Sequence, residues 1–323
     1  MSAAQSIHAA GDEAVAIAHP NVALSKYWGK REGEGNVPAV PSLSVTLAGL
    51  TTRTRVRWDA ALAEHRFALD GTPRTRAEAP RVFALLDEVR AGAHADVDSH
   101  NDFPTASGLA SSASGFAALA VAAAGGAGAW DLARLADVAR RGSASAARSL
   151  FGGFVEMDGT SVRPVAAVDH MPLAVLVCVT TQAPKAVGST DGMRRTLAKS
   201  PYAAAWLDAA PRLHAELRAA LLARDFPRVG ELAEASALAM HASAIAAGVV
   251  YWNGATIDAL AAVHALRAKG TAAYATIDAG PHVKVLVQPA DVPAVRAAMG
   301  GVPGVLRILE AGPGEGAHLE VAS

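Results

Sequence analysis

The stretch from Asn101 to Gly115 constrains this chain more than any other. It reads Asn-Asp-Phe-Pro-Thr-Ala-Ser-Gly-Leu-Ala-Ser-Ser-Ala-Ser-Gly and passes directly into Phe116-Ala-Ala-Leu-Ala-Val-Ala-Ala-Ala124. A proline, two glycines, four serines and a threonine make a turn, and the alanine-rich run that follows has the content of a buried helix. A small-residue loop feeding a helix N-terminus can hold an anion. The first backbone N–H groups have no intrahelical partner, the helix dipole turns its positive end to the loop, and Ser111, Ser112 and Ser114 add hydroxyls for phosphate or its magnesium. The same residues also suit a serine-capped core helix, which is the commoner use of an arbitrary Gly/Ser loop.

Composition decides what can surround such a loop. At 323 residues the chain is long for one core and comfortable for two domains, and with 51% hydrophobic residues burial is not limiting. Lysine plus arginine total 29 against 30 acidic residues, so nothing points to nucleic acid or an anionic membrane as main partner, and an anionic ligand must be met locally. Cys178 is the only cysteine, which excludes an intramolecular disulfide and fits a reducing compartment. The eleven histidines include no His-Glu-x-x-His or His-x3-His pair, leaving a zinc site little support; magnesium, held mainly by phosphate oxygens, leaves no such signature. The opening residues lack the basic start and apolar core of an export signal, so a cytoplasmic location is expected. Residues 103–130 carry no charge, but their Ala, Gly and Ser content suits a protein interior better than lipid.

Periodicity gives the organisation. Strands are expected at Val15–Ala18, Ser44–Leu47, Thr51–Trp58 and Arg66–Leu69, the second and third as a pair, with Arg53, Arg55 and Arg57 on a solvated face and Asp70-Gly71 as a hairpin turn. His19 to Pro41 reads as a loop. Helices are expected over Ala77–Arg90 and from an Asp131 cap to Gly142, and Phe151–Met157 closes the first half as a strand. An apolar β run at Leu173–Thr180 begins a second pattern: helices over 201–223, 226–241 and 256–269, strands over 272–277 and 283–287, a helix over 292–299, and strands near 305–309 and 317–321. This is an α+β arrangement, with the boundary placed in the break at 168–172.

Three further clusters carry chemistry. His19-Pro-Asn-Val-Ala-Leu-Ser-Lys-Tyr-Trp-Gly-Lys30 sets Lys26 and Lys30 beside Tyr27 in a loop or distorted turn, where two ammonium groups suit a doubly charged ligand, although isolated lysines commonly face solvent. Arg140-Arg-Gly-Ser-Ala-Ser-Ala-Ala-Arg148 offers Ser143 and Ser145 in a small-residue turn and Arg148 as a planar carboxylate-binding group. Asp278 ends an apolar strand before Ala-Gly-Pro, where its carboxylate either faces a cleft or bonds the turn. A weaker cluster, Gly188-Ser-Thr-Asp-Gly-Met193, contains Ser189.

Pro-x3-Gly-Leu-Ala-Ser-Ser-Ala resembles the phosphate loop of the GHMP small-molecule kinases, in the form typical of mevalonate diphosphate decarboxylases; Walker and Rossmann fingerprints are absent. The Lys26-Tyr-Trp-Gly-Lys30, Ser143-to-Phe154, Gly188-to-Met193 and Asp278-to-Lys284 blocks resemble that family's signatures in the same order, covering most of the chain. This sequence departs from the common pattern at Ser25, Ala144 and His282, where the family often has a hydrophobic residue, glycine and asparagine. It also lacks an asparagine at 37–41 and paired prolines in Ala244–Asn253.

The resemblance implies a two-domain GHMP kinase-like fold. Residues 1–170 would form an ATP-binding domain with a mixed sheet and helices, and 171–323 a ferredoxin-like sandwich, with the active site in the cleft between them. It implies ATP-dependent decarboxylation of mevalonate 5-diphosphate, with Asp278, Lys26 and Arg148 catalytic. Gly108, Leu109, Ala110, Ser111, Ser112 and Ser114 would bind ATP, with magnesium reached through its phosphates and Ser112 as the side chain offered to the ion. Tyr27, Lys30, Ser143, Ser145, Arg148 and Ser189 would hold the substrate, with Arg148 on its carboxylate. A homodimer is implied as well. Two alternatives stand beside this reading: a phosphomevalonate decarboxylase or mevalonate 3-kinase on the same scaffold, and a non-catalytic metabolite-binding member of the fold.

Overall fold

The computed structural model describes residues 6–7, 12–31, 36–103, 111–126 and 130–320. Its first half contains β1 (Ser6–Ile7), β2 (Glu13–Ala18), β3 (Asn21–Ser25), β4 (Ser42–Ala48), β5 (Thr52–Trp58), β6 (Arg66–Leu69), β7 (Thr72–Pro73), α1 (Pro80–Val89), β8 (Ala95–Asn101), α2 (Ser111–Gly125), β9 (Trp130–Asp131), α3 (Leu132–Gly142), α4 (Ala146–Ser149), β10 (Phe154–Asp158) and β11 (Ser161–Ala166). The second half contains β12 (Ala174–Val179), α5 (Ser189–Lys199), α6 (Ala203–Leu222), α7 (Phe226–Ala246), α8 (Gly254–Ala268), β13 (Ala273–Ile277), β14 (Val283–Val287), α9 (Val292–Gly300), β15 (Arg307–Pro313) and β16 (His318–Leu319).

The outer sheet runs β16-β2-β5-β8-β6-β7. In β5 the expected alternation holds. Thr52, Thr54, Val56 and Trp58 point inward, while the arginine face meets Glu320, Glu13 and Asp96. The inner face packs on α2, whose small side chains let the sheet approach until the Trp58 indole N–H donates to the Ala123 carbonyl at 3.1 Å. Within the uncharged stretch, residues 113–125 are therefore interior helix, and no helix among the described residues is long and apolar enough to cross a membrane. Asp70 and Gly71 both have positive φ (50° and 74°), as a tight hairpin turn requires. Helix α1 begins at Pro80, three residues later than its periodicity suggests, because Thr75 and Glu78 close a turn ahead of it and proline fits the first helical position.

The central sheet runs β11-β10-β4-β15-β12-β14-β13, with β3 also on β4. Two expectations fail here. Strands β4 and β5 are not partners: β4 is buried on both faces, which belongs between layers, whereas β5 has one solvated face and joins the outer sheet. The supposed loop His19–Pro41 contains β3, because its polar residues are satisfied inside. Asn21 donates to the Ser145 carbonyl and Ser149 Oγ, and Ser25 Oγ accepts the Leu43 N–H at 2.7 Å and lies 3.0 Å from His214 Nδ1.

In the second half, β12, β13, β14 and β15 stand in the spatial order β15-β12-β14-β13, antiparallel throughout, which is the ferredoxin-like arrangement. Helices α8 and α9 cover one face and α6 and α7 the other. The 170/171 division, which we propose as the boundary, falls between β11 and β12. Across it β15 pairs with β4 and β16 with β2, so the end of the chain stitches the halves together.

Candidate active site

Where the halves meet lies a cleft of about 700 Å³. Its walls are the end of β3, the N-terminus of α2, the α3–α4 turn, the N-terminus of α5 and the turn after β13. Among the described lining residues are five cations, Lys26, Lys30, Arg81, Arg148 and Lys185, against one carboxylate, Asp278. That imbalance makes it a site for a polyanion.

Lys26 leaves β3 with its backbone N–H on Ser236 Oγ (2.9 Å), and its ammonium donates to the Ala23 carbonyl (2.8 Å) and Asp278 Oδ1 (2.7 Å). Burial lowers this ammonium to about 8 against the supporting pull of Asp278. Asp278 is held at a turn in which the Gly280 N–H donates to its carbonyl, and its side chain is 23% exposed toward the cleft. Burial opposes ionisation of this carboxyl, but Lys26 on one oxygen and Lys284 on the other (3.1 Å) outweigh it and hold it below the ordinary carboxylate range. Asp278 is thus a fixed, ionised hydrogen-bond acceptor, able to orient a hydroxyl and take its proton late in a reaction.

Arg148, on α4, is 3% exposed and lines the same cleft. Its guanidinium donates to Asn21 Oδ1 (3.1 and 3.3 Å) and Ser42 Oγ (2.6 Å), both neutral, and burial lowers it to about 10. A buried cation with only neutral hydrogen-bond partners among the described residues is poised for an anion. Beside it the Tyr27 hydroxyl is buried without a hydrogen-bond partner among the described residues, and burial raises its pKa.

The serine cluster forms the next wall. Ser143 Oγ lies 3.4 Å from Ser112 Oγ and 3.3 Å from Ser145 Oγ, and Ser111 lines the cleft from the same helix N-terminus. Gly108, Leu109 and Ala110 lie outside the described residues. Ser114 is turned the other way: it is fully buried, accepts from Thr52 Oγ1 at 2.7 Å and is absent from the lining, so it braces α2 on the outer sheet. Lys30 donates to Asn36 Oδ1 (2.6 Å) and Thr190 Oγ1 (2.8 Å), and Ser189 accepts from Lys185 (2.8 Å). The left-handed φ of Gly29 (111°) makes the bend between Lys26 and Lys30. At Gly192 a Cβ would come within 2.3 Å of the Tyr251 hydroxyl, so glycine lets α5 bring Ser189 and Thr190 to the wall.

The structure thus gathers Lys26, Tyr27, Lys30, Ser111, Ser112, Ser143, Ser145, Arg148, Ser189 and Asp278 around one cavity. Sequence reasoning missed Asn21 and Ser42, which hold Arg148, and the cations Arg81, Lys185 and Lys284. Lys284 carried a signal, as the one charged residue in the run Val283–Val287. Of the departures, Ser25 meets His214, and His282 Nδ1 accepts the Thr180 N–H at 3.2 Å from a fully buried position. Among the described residues no group of three or more His, Cys, Asp or Glu could hold a metal ion.

A ferredoxin-like half joined to a helix-covered mixed sheet, with a polyanion cleft and one fixed carboxylate at the junction, defines the two-domain GHMP kinase-like class. Within it, the family profile for the diphosphomevalonate decarboxylase-like N-terminal domain matches residues 18–163, and that for the mevalonate 5-diphosphate decarboxylase C-terminal domain matches residues 175–302. The chain belongs to the diphosphomevalonate decarboxylase family. It is 35% identical to the diphosphomevalonate decarboxylase of Homo sapiens over 306 residues, spanning 82% of this chain and 74% of that one. Its fold is similar to the mevalonate diphosphate decarboxylase of Staphylococcus aureus (TM-score 0.90, 33% identity, 96% of this chain and 98% of that one). It is also similar to a structure described as a complex with MVAPP, AMPPCP and magnesium (TM-score 0.87, 36% identity, 96% and 99% coverage).

Proposed function

We infer that this chain is an ATP-dependent decarboxylase that converts mevalonate 5-diphosphate to isopentenyl diphosphate, releasing ADP, phosphate and carbon dioxide in the mevalonate pathway. Its family membership and the diphosphomevalonate decarboxylase relatives support the reaction. The observation on this chain that carries it is that Asp278 and Arg148 line the same cationic cleft, each held by other residues. A reaction that phosphorylates a tertiary hydroxyl and then expels carbon dioxide needs an acceptor for the hydroxyl proton and a cation for the carboxylate.

The lining residues fit ATP and magnesium: the helix α2 N-terminus, three cleft-facing hydroxyls within 3.4 Å steps and flanking cations suit phosphate oxygens, and those oxygens together with waters would hold a magnesium ion without a dedicated protein cage. When bound, ATP supplies the phosphoryl group that turns the substrate's 3-hydroxyl into a phosphate leaving group, with magnesium balancing the phosphate charge. In our assignment Asp278 orients the 3-hydroxyl and accepts its proton, and Lys26 balances the carboxylate and the charge that develops. Arg148, braced by Asn21 and Ser42, holds the C1 carboxylate in a fixed plane so that its departure aligns with loss of the phosphate. Tyr27, Lys30, Ser143, Ser145 and Ser189 anchor the diphosphate, and Ser111 and Ser112 receive ATP phosphates together with Gly108, Leu109 and Ala110. Ser112 is our choice for the magnesium contact. A cytoplasmic location and a homodimer belong to the same reading, to be checked by fractionation and light scattering.

The test follows ADP, phosphate and carbon dioxide with mevalonate, its 5-phosphate and its 5-diphosphate. All three products should form with the diphosphate alone. ADP without carbon dioxide would make the chain a 3-kinase, turnover of the monophosphate a phosphomevalonate decarboxylase, and no turnover a binding protein.

A further inference from the structure

Lys284 occupies a place that apolar packing would normally fill. It lies in β14, an interior strand of the sheet between β12 and β13, opposite Val177 on one side and Thr276 on the other. Its neighbours Val283, Val285 and Val287 are core residues, and Lys284 itself is 1% exposed. An ammonium buried in a sheet is strongly unfavourable unless it is paired and hydrogen-bonded. Its partner is Asp278 Oδ2 at 3.1 Å, while Asp278 Oδ1 is taken by Lys26 at 2.7 Å. The two lysines are not equivalent, because Lys26 lines the cleft and Lys284 does not.

We propose that Lys284 is a positioning residue for the reaction: from inside the sheet it clamps the second oxygen of Asp278, fixing the plane of the carboxylate and keeping it ionised, without touching substrate. This rests on the reading of Asp278 as acceptor of the hydroxyl proton. A carboxylate held by one ammonium can rotate about its Cβ–Cγ bond; one held on both oxygens by cations from β14 and from the end of β3 presents its remaining lone pairs in one direction. It is also a weak base, matched to a phosphoryl transfer in which the hydroxyl proton leaves late. The other charged or titratable groups bearing on Asp278 are Arg148, Lys185 and His241. The first two are cations. His241, whose Nε2 lies 3.3 Å from the Ile277 carbonyl, is held near 3 by burial and by Lys26, and so stays neutral in the working range.

The test is Lys284→Met, similar in length and without charge, with Lys284→Gln as a second uncharged variant should methionine pack poorly and Lys284→Arg retaining the cation. Thermal melts establish that each variant is folded. For the uncharged variants kcat should fall about 10- to 100-fold while KM for mevalonate 5-diphosphate stays within about threefold. The acid limb of the kcat profile should move up by about one pH unit or more, because one of two cations favouring the ionised form is gone. Lys284→Arg should keep the limb of the parent enzyme. In an Asp278→Asn background Lys284→Met should cost nothing further. An unmoved acid limb with kcat within about twofold, or an equal loss in the Asp278→Asn background, overturns the proposal. Near-normal turnover by Asp278→Asn alone would instead overturn the reading of Asp278, which separates the two failures.

Discussion

Replacing Arg148 by glutamine should lower activity without lowering stability, and both magnitudes follow from its surroundings. The guanidinium is buried, and its hydrogen-bond partners Asn21 and Ser42 are neutral. Burial takes its pKa from 12.5 to about 10, which corresponds to about 3 kcal/mol spent keeping the cation in place. Glutamine can still hydrogen-bond Asn21 and Ser42 without that cost, so unfolding stability should be unchanged or raised by up to about 3 kcal/mol. Function moves the other way. A guanidinium and a carboxylate about 4 Å apart at an effective dielectric near 20 attract by about 4 kcal/mol, and desolvation of the carboxylate leaves about 2–4 kcal/mol, or roughly 30- to 1000-fold in turnover. Lysine should rescue poorly, since a point charge cannot hold a carboxylate in a plane. The assay follows ADP release by parent and variant on mevalonate 5-diphosphate and on an analogue with a neutral amide in place of the carboxylate, beside urea denaturation of both proteins. The parent should lose phosphoryl transfer on the amide and the variant should lose little more. Equal damage with both compounds, or a clear loss of stability in the variant, would show that Arg148 serves ATP or the fold.

Two further outcomes are expected. Asp278→Asn should cut ATP turnover in a coupled ADP assay to a small but measurable residual rate while substrate affinity by calorimetry stays within about threefold, because the lost group acts on the transition state; near-normal turnover removes it from the mechanism. Glu156 is buried, and although burial works against its ionisation, Arg163 (2.6 Å) and His214 (2.8 Å) outweigh it and lower its pKa below 4.5. A depressed carboxyl adds stability that is present above its unfolded value and lost as pH falls through its folded value. Glu156→Gln should therefore lose about 1–3 kcal/mol at pH 7 and show a flatter decline below about pH 4.5, whereas parallel denaturation curves at all pH values would contradict it.

The parts of the site legible in the sequence are those whose chemistry is local. Asp278 is set by a strand end and the turn beside it; Lys26, Tyr27 and Lys30 share one bend; Ser143, Ser145 and Arg148 share a turn and a single helical turn. What escaped depends on partners far along the chain. Asn21 and Ser42 become the support of Arg148 only because α4 brings its guanidinium to the paired strands β3 and β4, more than 100 positions from either, at separations of 127 and 106. Their neutral polar side chains look the same in a loop as in a buried strand. Ser114 shows the converse: its spacing from Ser111 and Ser112 suggests one hydroxyl row, but on a helix a residue two positions beyond Ser112 points away from it, here into the outer sheet. The pairing of β4 with β5 failed for a related reason, since adjacency in sequence says nothing about which layer a strand fully buried on both faces must enter.

The same long-range construction explains why the halves hold one geometry. Arg148 comes from the first half and Asp278 from the second, and the chemistry we propose requires both on one substrate at hydrogen-bonding distance. Loops alone would leave that spacing loose. Here β15 joins the ferredoxin-like sheet to β4, the strand that also carries Ser42, so the arginine's support and the second half's strands share one continuous hydrogen-bonded sheet. Thr276 of β13 donates to the Ala23 carbonyl (3.2 Å), the carbonyl that also accepts from Lys26, tying the strand before Asp278 to the strand before Lys26. Burial of neutral hydroxyls and amides at these crossings is favourable because each finds a partner, and the ionic groups are then placed by strands that cannot slide without breaking those bonds. The site's precision therefore resides in the uncharged residues Asn21, Ser42 and Thr276 as much as in the charged ones they hold.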